Sequence, residues 1–340
     1  MNAHAEFSFA PVLDVRGLTL GIEGRGKSRR LVRDVSFKLT AGQTLALVGV
    51  SGSGITLTAL SLLRLLPDPP VRILDGTIQF DNSDLAHLSS SGLRDVRGSG
   101  IAMIFQEPQS ALNPVMSVGR QLREAVLAHE KLDRKALNTR VRELLELVRL
   151  PDPDRIIQEF PHRLSGGMRQ RVLIAIAMAG RPRVLIADEP TTALDVTVQR
   201  EILDMLAGLQ EQLGLAILLI THDLGLVADY ADEIAVMYAG RIVERGPAEE
   251  VLADPLHPYT RGLLGARPGL VPHLAGGRQR LVEISGSVPS DLDAIAGCPF
   301  SPRCPIAGEQ CRLRGPELLA ARDGHFVSCF KQADFQQVEA

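Results

Sequence analysis

Residues 49–56 form a glycine-rich stretch that could bind phosphate; they are GVSGSGIT. The apolar residues 44–48 before them predict a buried strand, and the periodic apolar residues 57–66 after them predict a helix. Between a strand and a helix, glycines let backbone N–H groups converge on an anion, and the helix dipole adds partial positive charge. The phosphate-binding pattern is G-x-x-x-x-G-K-[ST]. Both glycines and the hydroxyl of Thr56 are present, but Ile55 stands where the lysine is required.

Two carboxylates, Asp188 and Glu189, directly follow the apolar run 184–187. An aspartate at a strand end beside a phosphate site can hold Mg²⁺, which prefers hard oxygen ligands. The next carboxylate, Glu189, could polarise an attacking water. Two acids after a strand are also common as a helix cap and a solvated charge. The phosphate-binding stretch earlier in the chain favours the functional interpretation.

Two further polar residues follow predicted strands. His222 comes shortly after residues 216–220, at the carboxyl end of a strand, where open α/β sheets bind ligands. It could hydrogen-bond a terminal phosphate and the attacking water. Gln106 follows the predicted strand 101–105, and its amide oxygen could complete a magnesium shell. Taken singly, the first is better explained as a structural histidine and the second as a solvated loop residue.

Residues 164–170, LSGGMRQ, give the most specific signal in the chain. Ser165 is a suitable helix N-cap. The glycines at 166 and 167 leave backbone N–H groups uncovered, so that a phosphate can approach the positive end of the helix. A simple capped helix start does not explain the pair of glycines.

Buried apolar runs alternate with helical patterns along the chain. This alternation predicts an α/β fold with a mainly parallel sheet, whose strands and helices would position the candidate residues. A mostly helical stretch, about 106–182, interrupts the alternation as an insert. A turn is predicted over 21–30, and the chain after about residue 255 is rich in proline and glycine. The remaining predicted strands are 11–20, 31–39, 76–80 and 233–238, and the predicted helices are 118–150, 164–180, 196–213 and 225–230.

The composition is ordinary for a globular protein, with 340 residues, 45% hydrophobic and 23% charged. The net charge of −3 gives no general attraction to nucleic acid or anionic lipid. No apolar run approaches the roughly 18 residues of a membrane span. Residues 1–11 lack the basic start and apolar core of a signal peptide. We therefore expect a cytosolic protein that can still dock on a membrane protein.

Taken together, the motifs resemble the nucleotide-binding subunits of ABC transporters. Residues 164–170 match the signature of that family, and residues 184–195, VLIADEPTTALD, match its Walker B strand and D-loop. Gln106 matches its Q-loop and His222 its switch histidine. The run 101–106, the triplet Leu112-Asn113-Pro114 and the tetrapeptide His257-Pro258-Tyr259-Thr260 resemble the branch that imports dipeptides, oligopeptides and nickel.

The resemblance implies a P-loop nucleotide-binding domain over residues 1–255, with a RecA-like core and a helical subdomain at about 106–182. A small, loop-rich C-terminal domain with four cysteines would occupy 256–340. The implied cofactors are ATP and Mg²⁺. Two such subunits, usually different chains, would bind nucleotide head to tail, each site completed by the signature of the other. The pair would work with two transmembrane permease subunits at the cytoplasmic face of the inner membrane, served by a solute-binding protein and without nucleic acid.

The resemblance also assigns roles to individual residues. Glu189 and His222 would be catalytic, and Mg²⁺ would be held by Thr56, Gln106 and Asp188. Ile22 stands near the position where the family carries an adenine-stacking aromatic residue. The residues assigned to nucleotide binding are Gly49, Ser51, Gly52, Ser53, Gly54, Ile55, Thr56, Leu57, Gln106, Ser165, Gly166, Gly167 and Ile22.

Ile55 is the main departure from the family pattern. Losing a charge-assisted contact to phosphate costs roughly 1.5–3 kcal/mol, so this site is expected to hydrolyse ATP poorly. One account is a naturally degenerate site in a heterodimer, in which Ser165 serves the partner's site. The other is an engineered or accidental change in a competent subunit. The intact Gln106, Asp188, Glu189 and His222 favour the second account.

All four cysteines, Cys298, Cys304, Cys311 and Cys329, lie in the C-terminal region. In a cytosolic chain such a cluster indicates metal binding more than disulfides. Four thiolates can hold an iron–sulfur cluster, whereas the spacing lacks the C-x-x-C of zinc fingers. Some relatives in this branch carry a 4Fe–4S cluster, which is the expectation here. Zinc and unligated structural cysteines are the alternatives.

The leading hypothesis is therefore a transport ATPase subunit that powers uptake of di- or oligopeptides or a related small solute. A soluble ABC ATPase that acts on DNA or ribosomes usually has two such domains or a long coiled-coil insert, and this chain shows neither. A non-hydrolysing regulatory subunit is the third class, and Ile55 makes it possible. The sequence does not distinguish dipeptides, oligopeptides, nickel chelates and glutathione as the solute.

Overall fold

The computed structural model describes residues 10–23, 28–106, 111–266, 284–289 and 293–331. These residues form two compact units, each described separately below. The first unit comprises the described parts of Met1–Asp14, Lys38–Thr44 and Gln79–Leu219. The second comprises the described parts of Val15–Phe37, Leu45–Ile78 and Ile220–Ala340.

The strands and helices are numbered in chain order. The strands are β1 Leu13–Glu23, β2 Ser28–Leu39, β3 Thr44–Val48, β4 Val71–Phe80, β5 Ser83–Asp84, β6 Ile101–Ile104, β7 Val184–Asp188, β8 Ala216–Thr221, β9 Glu233–Tyr238, β10 Arg241–Pro247, β11 Leu319–Arg322 and β12 His325–Val327. The α-helices are α1 Ile55–Leu62, α2 Ser90–Val96, α3 Val118–Leu127, α4 Arg134–Leu147, α5 Pro153–Ile156, α6 Gly166–Ala177, α7 Val196–Leu213, α8 Leu224–Tyr230, α9 Ala248–Ala253, α10 Pro258–Gly265 and α11 Glu309–Leu313.

The second unit is organised by strands in the order β11-β12-β10-β9-β3. β3 and β9 are parallel, and β9, β10, β12 and β11 pair antiparallel. β3 is buried along its whole length, as its sequence TLALV predicts, and it leads into the glycine-rich loop and α1. Behind the sheet lies a core that includes Tyr238, Tyr259 and Phe300, against which Cys298 and Cys304 pack.

In the first unit β6 and β7 are parallel, with Ile101 opposite Val184, and β8 lies beside β7. Helices α3, α4 and α6 pack on one another, and α6 also packs on α7. The helices begin where the sequence offers a cap: the hydroxyl of Ser117 accepts the N–H of Arg120, and the carboxylate of Asp133 accepts the N–H of Ala136.

The predicted α/β class is confirmed, but several boundaries differ. β1 continues to Glu23 and β2 begins at Ser28, so both strands enter the predicted turn 21–30, of which residues 24–27 lie outside the described residues. The reason is Gly21, where an added Cβ would lie 2.7 Å from the carbonyl oxygen of Arg29, so that the glycine permits close strand approach. α1 ends at Leu62 instead of residue 66, because Arg64 adopts a left-handed conformation with φ 49°.

The stretch 118–150 is mostly helical, as predicted, and contains two helices, because Asp133 caps a second start after the end of α3. The C-terminal stretch after residue 255 is more ordered than predicted, since it contains α10, α11 and the hairpin β11–β12. No helix among the described residues is long and apolar enough to cross a membrane. The domain division into 1–255 and 256–340 stays a prediction.

Candidate nucleotide-binding site

The phosphate loop, residues 49–56, turns between β3 and α1 with two glycines in left-handed conformations. Gly52 has φ 83° and Gly54, which caps α1, has φ 97°. These are backbone angles that glycine adopts without strain. The N–H of Ser53 donates to the carbonyl of Val50 at 3.0 Å, and the carbonyl of Ser53 accepts the N–H of Gly240 at 2.8 Å. The loop is therefore closed on itself and held from the turn after β9.

Ile55 is buried within this loop, with 6% of its surface exposed. An added Cβ at Gly49 would lie 3.0 Å from Ile55 Cδ1 and 2.9 Å from Ser53 Oγ, so these groups lie close together under the first turn. The side chain is thus packed within the loop and brings no charge to it. Thr56 and Ser51 are exposed, and Leu57 is half-buried. The loop has the backbone of a phosphate site without its usual cation.

A tyrosine from the C-terminal region holds the other side of the loop. The hydroxyl of Tyr259, on α10, accepts the N–H of Val50 at 3.2 Å. Burial raises the pKa of Tyr259 to about 12, so the hydroxyl is neutral at physiological pH. The backbone N–H of Tyr259 donates to Nδ1 of His257 at 3.0 Å. His257 can accept because burial lowers its pKa to about 4 and keeps the ring neutral.

At the end of β7, Asp188 is 3% exposed, and its burial together with the neighbouring charge of Glu189 raises its pKa to about 6. Glu189 adopts a left-handed backbone conformation with φ 46°. Its Oε2 accepts hydrogen bonds from Gln106 Nε2 and from Thr192 Oγ1, both at 2.7 Å. The structure thus brings together two of the predicted residues, Gln106 and Glu189.

This arrangement gives Gln106 a contact that the sequence did not suggest. Its amide nitrogen donates to Glu189. The amide oxygen is not used in this hydrogen bond, and oxygen is the ligand that Mg²⁺ prefers. Thr192 was missed as a partner of Glu189, although its place in the matched D-loop segment could have indicated it. Asp188, Thr56 and Gln106 offer oxygen ligands of the type that Mg²⁺ takes. Their roles stay predictions.

Ser165 caps α6 as predicted: its Oγ accepts the N–H of Met168 at 3.3 Å. The two glycines that follow have a packing role as well. An added Cβ at Gly167 would lie 2.6 Å from Val198 Cγ1, and one at Gly166 would lie 3.0 Å from Leu194 Cδ2. The start of α6 can therefore lie against the start of α7 only because both positions lack side chains.

The two remaining predicted site residues are His222 and Ile22. His222 is exposed directly after β8, and the next residue, Asp223, caps α8 by accepting the N–H of Gly225 at 2.9 Å. Ile22 is half-buried near the end of β1. The catalytic role of the histidine and the adenine-contacting role of the isoleucine stay predictions.

The four cysteines line one small cavity, together with His257 and Phe300. Burial raises the pKa of the Cys329 thiol to about 11 and also raises the pKa of Cys298 and Cys304. Backbone N–H groups donate to three of the thiols, including that of Lys331 to Cys329 Sγ at 3.4 Å. Within the described residues, no group of three or more His, Cys, Asp or Glu is placed so that it could hold a metal ion.

Comparisons with known proteins agree with this fold and motif set. Residues 32–192 match the family described as ABC transporter, and residues 243–311 match the family described as oligopeptide/dipeptide transporter, C-terminal region. A solved structure similar to this chain is that of cbiO1 from Clostridium perfringens, part of the ABC transporter complex cbiONQ. It superposes with a TM-score of 0.61 at 28% identity, covering 72% of this chain and 91% of that one. The chain therefore belongs to the ATP-binding proteins of the ABC transporter family.

Curated relatives match over almost the whole chain. A putative peptide import ATP-binding protein of Brucella abortus is 49% identical over 320 residues, 94% of this chain and 95% of that protein. The dipeptide transport ATP-binding protein DppD of Bacillus subtilis is 44% identical over 321 residues, with the same coverage of 94% and 95%. The structure of MJ0796, a bacterial ABC transporter cassette, covers 69% of this chain and 98% of its own at 24% identity and a TM-score of 0.61, and it shows the shared fold.

Proposed function

We propose that this chain is the ATP-binding subunit of an importer of small peptides. The supporting observation is the near-complete match, 94% of the chain, to proteins named for peptide import and dipeptide transport. The matched oligopeptide/dipeptide C-terminal region, residues 243–311, supports the same branch. The subunit would lie peripherally at the cytoplasmic face of the membrane and couple ATP binding and hydrolysis to two transmembrane permease subunits. A solute-binding protein would deliver the solute.

The function is tested by reconstituting the assembled importer in proteoliposomes with its solute-binding protein. ATP-dependent accumulation of a labelled dipeptide or oligopeptide is expected. A nickel chelate and glutathione, added in separate reactions, are the competing solutes. Accumulation of either of these without peptide uptake, or no accumulation at all, would contradict the proposal.

We further propose that the phosphate loop of this chain is impaired by Ile55. What supports this is the buried, uncharged side chain at the lysine position of an otherwise well-formed loop, in a chain whose Glu189 is intact. The chain would then contribute Ser165, Gly166 and Gly167 to the ATP site of a second, different ATPase subunit, in which hydrolysis would chiefly occur. A regulatory subunit that binds ATP without turnover is the second candidate that Ile55 favours.

Ile55→Lys is expected to raise the ATP turnover of the reconstituted complex. A restored charge-assisted contact corresponds to about 1.5–3 kcal/mol, or roughly ten- to a hundredfold at this site. Ile55→Met adds length without charge and is the matched control, with no gain expected. No gain from the lysine would refute the impairment. Absence of turnover from the complex with either residue would favour the regulatory subunit.

We propose, as a separate matter, that the cysteine-lined cavity holds a 4Fe–4S cluster. The donor set supports this: four thiols line one cavity, and backbone N–H groups point at the sulfur of Cys298, Cys304 and Cys329. When bound, such a cluster would supply redox or structural capacity to this region. Its ligands would be these thiols as thiolates, because metal binding releases their protons.

Anaerobically purified full-length chain is expected to contain iron and to show the visible absorption of an iron–sulfur chromophore. The paired variant Cys298→Ser/Cys329→Ser should lose both signals. Zinc in place of iron would contradict the cluster, and the absence of both metals would indicate structural cysteines.

A further inference from the structure

Tyr259 connects the C-terminal region directly to the phosphate loop. Its hydroxyl accepts the N–H of Val50, the second residue of the loop, across a sequence separation of 209 residues. On the opposite side the N–H of Gly240 donates to the carbonyl of Ser53. The exposed residues Ser51 and Gly52 lie between these two attachments. The path of the loop is therefore fixed from outside at two points, one of which is a side chain.

The side chain that provides this attachment is itself held rigidly. Tyr259 is fully buried, and its ring lies 4.7 Å from that of Tyr238 and 5.6 Å from that of Phe300, centroid to centroid. Its backbone N–H is fixed on His257, whose own N–H donates at 3.0 Å to the buried carboxylate of Glu244. A group held in this way can act as a fixed point for a loop that contains two left-handed glycines.

We propose that Tyr259 is a positioning residue for ATP: its hydroxyl holds Val50 so that the loop N–H groups are aimed at the phosphates before nucleotide arrives. This inference rests on the proposed role of residues 49–56 in binding ATP. Preorganised backbone donors bind an anion more tightly than a loop that must order on binding. With Ile55 in the lysine position, the backbone N–H groups carry a larger share of phosphate binding, so the hydroxyl matters more.

The test compares Tyr259→Phe with Tyr238→Phe in the full-length chain. Both substitutions keep a buried ring and remove one hydroxyl. The hydroxyl of Tyr238 accepts from Arg303 Nη1 at 3.4 Å instead of from the loop, which makes it the matched control. The first readout is amide hydrogen exchange of the peptide that spans residues 49–54, measured without nucleotide. The second is the affinity for Mg·ATP by calorimetry, in the unchanged chain and with Ile55→Lys.

Tyr259→Phe is expected to speed exchange of the loop peptide and to weaken Mg·ATP binding, each by about two- to tenfold, the range for one lost hydrogen bond. Tyr238→Phe should change neither. Equal effects of the two variants, or faster loop exchange with unchanged affinity, would overturn the proposal. So would faster exchange throughout the chain with a lowered melting temperature, which would make Tyr259 a packing residue. If neither the unchanged chain nor the Ile55→Lys chain binds Mg·ATP, the proposed function is refuted, and the positioning role of Tyr259 is refuted with it.

Discussion

Glu189 adopts a left-handed backbone conformation, which glutamate rarely does. A non-glycine residue in the left-handed region costs on the order of 1–3 kcal/mol when the surroundings enforce it. Two short hydrogen bonds to Oε2, from Gln106 and from Thr192, offset part of that cost and set the direction of the carboxylate. The strained turn therefore fixes the orientation of the Glu189 carboxylate, as the predicted role of this residue in activating a water molecule requires.

Glu189→Gln tests the predicted water-activating role of the carboxylate, because it replaces one carboxylate oxygen by an amide nitrogen. In a complex carrying Ile55→Lys, the substitution is expected to keep Mg·ATP binding and to remove the added turnover, by roughly a hundredfold or more. The reason is that an amide cannot accept a proton from water. Steady-state ATP hydrolysis measures the turnover, and calorimetry measures binding.

Thr192→Val, which keeps the shape of the threonine, is the companion variant. It removes one of the two hydrogen bonds to Glu189 and should lower the same turnover by about tenfold or less. If Glu189→Gln retained the full rate, the water-activating role would have to move to another group.

Among the elements, the contact between α6 and α7 sets the strictest steric limit. Gly167→Ala would bring a Cβ to 2.6 Å from Val198 Cγ1. A β-branched side chain cannot turn away easily, and overpacking of this kind costs roughly 1–3 kcal/mol. We expect Gly167→Ala to lower the melting temperature and to reduce ATP turnover in the complex.

The double variant Gly167→Ala/Val198→Ala removes the opposing methyl groups and is expected to recover most of the melting temperature. Recovery would show that the steric contact, and not helix propensity, causes the loss. A double variant as unstable as the single one would disprove that explanation. Turnover that stays low after recovery would indicate that the bare N–H groups at residue 167 are needed for the partner's nucleotide.

Local periodicity was sufficient to predict many of these elements. The helix Val196–Leu213 and the strand Glu233–Tyr238 begin and end where the apolar pattern predicts. The sequence also predicted which polar residues of the candidate nucleotide-binding site follow strands, among them Gln106 and Glu189. It could not show that Gln106 and Glu189 meet, because 83 residues separate them. The contact of Tyr259 with Val50 depends on the packing of α10 behind the sheet, for which no local pattern exists.

At the scale of the second unit, one buried carboxylate ties together three segments. Glu244 on β10 accepts the N–H groups of Leu256, at 2.6 Å, and of His257, at 3.0 Å. His325 Nε2 on β12 lies 2.9 Å from the same carboxylate, and both side chains are fully buried. Each donor would be left without this acceptor if the carboxylate were lost, since water does not reach them.

Glu244→Leu is therefore expected to lower the free energy of unfolding by roughly 3–5 kcal/mol, the range for breaking a buried pair. Urea unfolding of the full-length chain, followed by circular dichroism, gives the midpoint. Glu250→Leu, at an exposed position on α9, is the control and should change the free energy by about 0.5 kcal/mol or less. Equal changes in the free energy of unfolding for the two variants would contradict the stabilising role of the buried Glu244 carboxylate.

The pairing of β12 with β10 has a consequence for how such a chain can change over generations. The last hairpin, β11–β12, is hydrogen-bonded onto the strands that continue through β9 to β3, the strand that carries the phosphate loop. A stop codon or deletion upstream of residue 319 would uncover the edge of β10 and the Glu244 carboxylate, and exposed strand edges promote aggregation. Loss of the C-terminal hairpin in one step is therefore expected to destabilise the unit that carries the phosphate loop.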